Sequence, residues 1–364
     1  MSRFQATPRF DWTMTILGAA FIGGLYLDGW AHTHGRVDDT FFTPWHAVLY
    51  GGWLACTAFL AGVWARGRAR GRGWREALPA GYGLSLLGGL AWLAAGPADL
   101  VWHQLFGFEA NVEALMSPAH LALVLGAALV LTGPLRSAWS RPDLEHESWG
   151  RRLPMLLSMT FVLSQITFFI EPGHPIAKLW GRGAVRPERF AYALEEAGIT
   201  GILLTSIVLM GAVLLLLRRG GAPAGTLTVM VGLNTVAMGF IFGRGPYPLA
   251  TVTAFVLGGV LGDLLRAVLR PGVEWPAAWR WFAFAVPVVL NLLYFASLAL
   301  TTGLWWHMHL WLGTVLFTGV AGWLLSYLAL PPRIPVALPE PAGGARRSAP
   351  WTSGPARTPV GSAR

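Results

Sequence analysis

The sequence predicts an all-α, polytopic transmembrane helical bundle of about ten spans. Three observations predict it. Of 364 residues, 54% are hydrophobic and only 12% are charged, too few charges to cover a soluble protein of this length. Apolar runs of roughly 20 residues, the length that spans a bilayer, recur along the chain. The arginines fall mainly in alternate connections between those runs, the charge pattern of a multi-pass protein.

Helices are expected over roughly 10–31, 43–65, 78–103, 117–137, 153–171, 198–217, 226–243, 247–269, 277–301 and 304–329. The first follows Arg3 and Arg9, but it is too long for a signal-peptide core and lacks a cleavage site. Arginines cluster at 66–75, 136–152, 218–219 and 266–280, and again after 330. The positive-inside rule assigns that side, and both termini, to the cytoplasm, in the inner (cytoplasmic) membrane of a prokaryote. Nineteen tryptophans, many near span ends, suit interfacial belts. The net charge of +9 is explained by topology, so no nucleic-acid partner is expected. Cys56 is the only cysteine, which excludes a disulfide framework and a cysteine metal site. Residues 1–330 form the membrane domain, and the Pro-, Gly- and Arg-rich 331–364 are expected to be a disordered basic cytoplasmic tail. The 172–197 connection has mixed charge and a partly helical pattern, read as a short surface helix or an ordinary loop.

This topology puts eight of the nine histidines on the outer side: His32, His34, His46, His103, His120, His174, His307 and His309. Asp28, Asp38, Asp39, Asp99, Glu109, Glu113 and Glu171 collect there too. Ionisable groups at membrane depth are costly and usually pair or bind something. A pattern also recurs. Asp28-x3-His32 ends one helix and Thr43-Pro-Trp-His46 opens the next; Asp99-x3-His103 and Ser117-Pro-Ala-His120 do the same. The helical hairpin is therefore read as duplicated, about 10–65 and 78–137.

Residues four apart share a helix face, so each Asp sits one turn from its His. Thr43 and Ser117 are expected N-caps, with Pro44 and Pro118 in the first turn. That places His46 and His120 at a helix start, where the dipole disfavours an imidazolium, and neutral imidazole is the form that ligates metal. Each hairpin can thus offer two His and one carboxylate with open positions, a recognised metal arrangement. Glu171, His174, His307 and His309 are further candidate ligands. His307 and His309 are two apart and should diverge on a regular helix, leaving one as ligand and one on the surface. Tyr50, one turn beyond His46, is a candidate partner for that ligand; Arg244 is a candidate counter-charge for a carboxylate. No residue is assigned a catalytic role.

The stretch "DGWAHTHGRVDDTFFTPWHAVLY" resembles the metal-site segment of the C subunit of copper membrane monooxygenases, the particulate methane and ammonia monooxygenases. Asp28, His32 and His46 match the family's three ligands, and Asp39-Thr40 and Phe42-Thr43-Pro44 match elements between them. Thirteen residues separate His32 from His46, one more than in the family. The resemblance implies copper and oxidation of a small apolar substrate reaching the site through the bilayer. It also implies either a stand-alone relative or a subunit that needs partner subunits or further copies. The residues alone equally allow zinc or iron, and with them a copper or zinc transport or assembly protein, or a zinc-dependent membrane hydrolase.

Overall fold

The computed structural model describes residues 4–36, 43–107, 115–220, 222–243 and 247–332. Asp38, Asp39, Thr40, Phe42, Glu109, Glu113, Arg244 and the tail from 333 lie outside the described residues. Twelve α-helices are described: α1 (Pro8–Thr33), α2 (Pro44–Ala69), α3 (Gly83–Phe106), α4 (Pro118–Leu131), α5 (Gly133–Trp139), α6 (Trp149–Phe169), α7 (Pro175–Lys178), α8 (Ala191–Arg218), α9 (Thr226–Phe242), α10 (Tyr247–Leu269), α11 (Pro276–Thr301) and α12 (Met308–Ala329). Eight of them are long and apolar enough to cross a membrane, which defines a multi-pass transmembrane helical protein. The expected ten spans are met only in part. The fourth is bent by 43° between α4 and α5, and α9 is a shorter apolar helix of 17 residues.

The bend has a local cause. Gly133 and Pro134 interrupt the apolar run, and proline removes a backbone donor there. Arg136 then fills the break. Its Nη2 donates to Leu129 O at 2.8 Å and to Ser85 Oγ at 2.8 Å, and its Nε donates to Gly81 O at 2.9 Å. Helix α3 starts at Gly83 instead of 78, because Gly81 has φ +91° and an added Cβ would lie 2.4 Å from Ser137 N. The 172–197 connection starts in a 3-10 turn (Glu171–Gly173), carries the single α-helical turn α7, and from Ala191 on is the start of α8. It is strapped to the start of α12 by Gly183 N to Gly303 O and Trp305 N to Gly181 O, both 3.0 Å. That strap holds 304–307 out of helical conformation, so α12 begins at Met308 and not at 304.

In the N-terminal half α1 packs on α2 and α3 on α4; α6 lies against α1 and α9 and is the most buried span. Helices α9 to α12 pack successively, and α12 returns to α8. Buried amides lock the spans together. Asn234 Nδ2 donates to Thr167 Oγ1 at 2.9 Å, Asn291 Nδ2 to Ser206 Oγ at 3.0 Å and Gln165 Nε2 to Val124 O at 2.7 Å. At the arginine-rich end, Asp11 of α1 accepts from Tyr82 Oη at 2.6 Å and from Arg141 Nη1 at 2.9 Å. Arg141 also reaches Glu147, and Glu147 meets Arg151 at 3.0 Å.

Glycine sets the spacing within each N-terminal hairpin. A Cβ on Gly52 of α2 would lie 2.6 Å from Phe21 Cα, and one on Gly24 of α1 would lie 2.7 Å from Leu49 Cα. In the second hairpin a Cβ on Gly88 would meet Gly126 O at 2.6 Å, and one on Gly126 would meet Trp92 at 3.2 Å. Gly51, by contrast, faces open space. Gly52→Ala should therefore destabilise the protein by about 2 kcal/mol through forced separation of α1 and α2. Gly51→Ala should be neutral or stabilise by up to about 1 kcal/mol. Thermal unfolding of the two variants in detergent checks the contrast.

Candidate metal centre

Both hairpins end at the side away from the arginine clusters, and both place their ionisable residues at one level. The caps form as the sequence requires. Thr43 Oγ1 accepts from His46 N at 3.1 Å, and Ser117 Oγ accepts from His120 N at 3.2 Å, each with proline in the first turn. Asp28 and His32 lie one turn apart near the end of α1, and Asp99 and His103 near the end of α3.

The close helix contacts bring these pairs to the capped histidines. Asp28 Oδ2 is 3.8 Å from His32 Nε2 and 3.5 Å from His46 Nε2. Asp99 Oδ2 is 3.5 Å from His103 Nε2, and its Oδ1 is 3.4 Å from His120 Nδ1. In each triad, one ligand atom from every residue lies within 4.8 Å of the other two. Both carboxylates are buried, at 8% and 3% exposure, so neither is a solvated surface acid. Asp28 Oδ1 and Asp99 Oδ1 are buried and accept no hydrogen bond.

These distances separate two interpretations. A charge-assisted N–H···O bond is about 2.7–2.9 Å long, and the Asp–His separations here exceed it. Two ligands on a tetrahedral ion with bonds of about 2.0–2.1 Å stand roughly 3.3–3.4 Å apart. The observed separations lie at or slightly above that edge. An orphaned buried carboxylate oxygen in each cluster also lacks the partner that burial of a polar atom demands. A divalent cation fits both facts.

The two clusters are neighbours. Tyr50 touches both, through His46 of the first and the α3 segment that carries Asp99 of the second. Tyr50 packs 6.3 Å from the His46 ring and 4.7 Å from Trp92, and it lies against Gly96, three residues before Asp99. Inward of Tyr50, Trp53 stacks on Trp92 at 4.7 Å and Phe21 meets Trp92 edge-on at 5.7 Å.

The remaining predicted ligands are not gathered into either cluster. His174 is buried, and its Nδ1 accepts from Ile176 N at 3.2 Å, capping α7. Glu171 opens a short 3-10 turn next to it. His307 and His309 are exposed and, instead of diverging, stack in parallel at 5.7 Å, because His307 is the extended N-cap of α12 and lies outside the helix. His34 caps the end of α1, with its Nδ1 2.9 Å from Trp30 O. The sequence reading missed the Asp11–Tyr82–Arg141 cluster. Its signal was an aspartate placed among apolar residues at the start of the first span.

The fold and these clusters define a multi-pass helical membrane protein with two Asp/His2 groups at one end of the bundle. Compared with family models, with curated proteins and with solved structures, the chain matches none.

Glu171 and His174 lie outside the spans and give the protein a pH response. Burial pushes the Glu171 carboxyl from 4.5 up to about 7. The folded chain keeps that proton after the unfolded chain has released it, so this contribution to stability falls as pH rises from 4.5 to about 7. Burial pushes the His174 imidazole from 6.5 down to about 3. There the unfolded chain takes the proton first, so stability falls as pH drops from 6.5 towards about 3. Glu171→Gln should abolish the first slope and leave the second, as read by thermal unfolding across that pH range.

Proposed function

We propose that this chain is a membrane metalloprotein that holds a transition-metal ion, copper by preference, at each Asp/His2 cluster, and that it works as a copper membrane monooxygenase-like oxidoreductase on a small apolar substrate. One observation carries the reading: twice over, a buried aspartate with one oxygen that accepts no hydrogen bond stands 3.4–3.8 Å from two imidazole nitrogens. Asp28, His32 and His46 would hold one ion, and Asp99, His103 and His120 the other. Copper bound there would supply redox chemistry at an open coordination position. The residues supply binding, orientation and exclusion of water. Thr43 and Ser117 fix the first-turn histidines, Asp28 and Asp99 balance the ion's charge, and Tyr50 packs between the clusters. A small apolar substrate would arrive laterally, past the exposed Val101, Leu105 and Leu121 near the α3–α4 cluster.

The aromatic layer beneath the clusters favours a fixed site over a conduit. An ion passing inward needs successive polar ligands, and Tyr50, Trp53, Trp92 and Phe21 fill that space instead. The eight long helices, the bent α4–α5 pair and the 17-residue α9 together support a reading of ten spans, and the positive-inside rule then puts both termini on the cytoplasmic side. Equivalent contacts in the two hairpins support their duplication. The glycine six residues after each capped histidine, Gly52 or Gly126, meets the residue seven before each aspartate, Phe21 or Trp92.

Elemental analysis of the purified protein should find copper, one ion per cluster, with a nitrogen- and oxygen-ligated signal by electron paramagnetic resonance. His32→Ala and His103→Ala should each remove one ion, and the double variant both. Zinc alone at the same residues would instead select the hydrolase reading. A metal-free protein, or one whose metal survives both substitutions, would overturn the assignment.

A further inference from the structure

At the opposite end of the bundle, a second group of charges is left unbalanced. Arg152 stands in the first turn of α6, three residues from Trp149 and thus on the same face. Its Nε is buried and has no hydrogen-bond partner, and no carboxylate pairs with it among the described residues. The nearby acid in sequence, Glu147, is held by Arg141 and Arg151. Arg266, near the end of α10, reaches the same 222–224 turn that Trp149, one turn from Arg152, contacts.

The 222–224 turn between α8 and α9 frames the space. Trp149 Nε1 donates to Ala224 O at 3.1 Å from one side, and Arg266 donates to Ala222 O and Pro223 O from the other. Asp263, the acid that faces Arg266, has both carboxylate oxygens engaged at the start of α9. Oδ1 accepts from Leu227 N at 3.2 Å; Oδ2 accepts from Thr228 N at 2.8 Å and from Thr228 Oγ1 at 2.7 Å. Asp263 is thus engaged by the start of α9, while the half-buried Arg152 keeps a buried Nε without an acceptor. Guanidinium forks match the geometry of phosphate oxygens, and basic pockets between helix ends take phospholipid headgroups. The surface beside them is suited to a lipid. The Trp149 ring, which donates to Ala224 O of that turn, is half exposed.

We propose that Arg152 and Arg266, framed by the 222–224 turn, bind a phosphate group, that of an anionic phospholipid. The site is independent of the metal reading, and metal content should not change when it is removed.

The full-length protein is purified and placed in nanodiscs of phosphatidylcholine alone or with phosphatidylglycerol. Native mass spectrometry then reads the retained lipid, and thermal unfolding the protection. Wild type should retain phosphatidylglycerol and melt higher with it. Arg152→Gln should bind it about tenfold more weakly, the loss of one charge-assisted contact. Arg152→Lys, which keeps the charge and loses the fork, should fall between. Arg219→Gln, which removes an exposed arginine on the same side, should behave as wild type. Protection of wild type but not Arg152→Gln by inorganic phosphate in phosphatidylcholine discs would support the phosphate site and assign it a soluble source. Equal lipid retention and equal response to phosphate in wild type and in a folded Arg152→Gln would overturn the proposal.

Discussion

The closeness of helix backbones in the two N-terminal hairpins governs what the Asp/His end of the bundle can be. Gly24 and Gly52 leave no room for a Cβ between α1 and α2, and Gly88 and Gly126 leave none between α3 and α4. Without side chains between them, the helices approach until backbone meets backbone. The depth of each residue on one helix is then tied to that on the other. A carboxylate near the end of α1 and an imidazole at the start of α2 reach one level for that reason. Wider spacing would leave Asp28 with His32 alone, an ordinary pair on one helix face.

That constraint carries an electrostatic cost, and the structure handles it differently at its two ends. At the arginine-rich end the buried acid Asp11 is fully engaged by a phenol and a guanidinium. At the other end Asp28 and Asp99 each keep a buried oxygen that accepts nothing. An apolar bundle tolerates a satisfied buried carboxylate, and an unsatisfied one is expensive. Satisfaction at one end and deficit at the other distinguish a structural cluster from a candidate binding site. The same reasoning, with the sign reversed, picks out Arg152 among many arginines that cap carbonyls or pair with acids.

Much of this was legible in the chain. Hydropathy marks helices because a span needs about 20 apolar residues whatever its neighbours do, so most helices begin and end within a few residues of where the runs do. The caps at Thr43 and Ser117 were legible because capping is decided within four residues. The i, i+4 spacing placed Asp28 with His32 and Asp99 with His103 for the same local reason. Boundaries failed where a distant segment intervened: the strap from 181–183 unwinds 304–307, and Arg136 with Gly133 and Pro134 breaks the fourth run.

The sequence by itself determined the helical membrane character, the clustering of its arginines in particular connections and the residue types able to ligate, all of which depend on composition and short-range spacing. Only the tertiary structure decided which of those residues meet. It joined His46 to Asp28 and His120 to Asp99, set the two clusters side by side around Tyr50, and left Glu171, His174, His307 and His309 outside. The physical reason is that ligand geometry is set across helices, by packing contacts between residues far apart in the chain, and no local pattern records where those contacts fall.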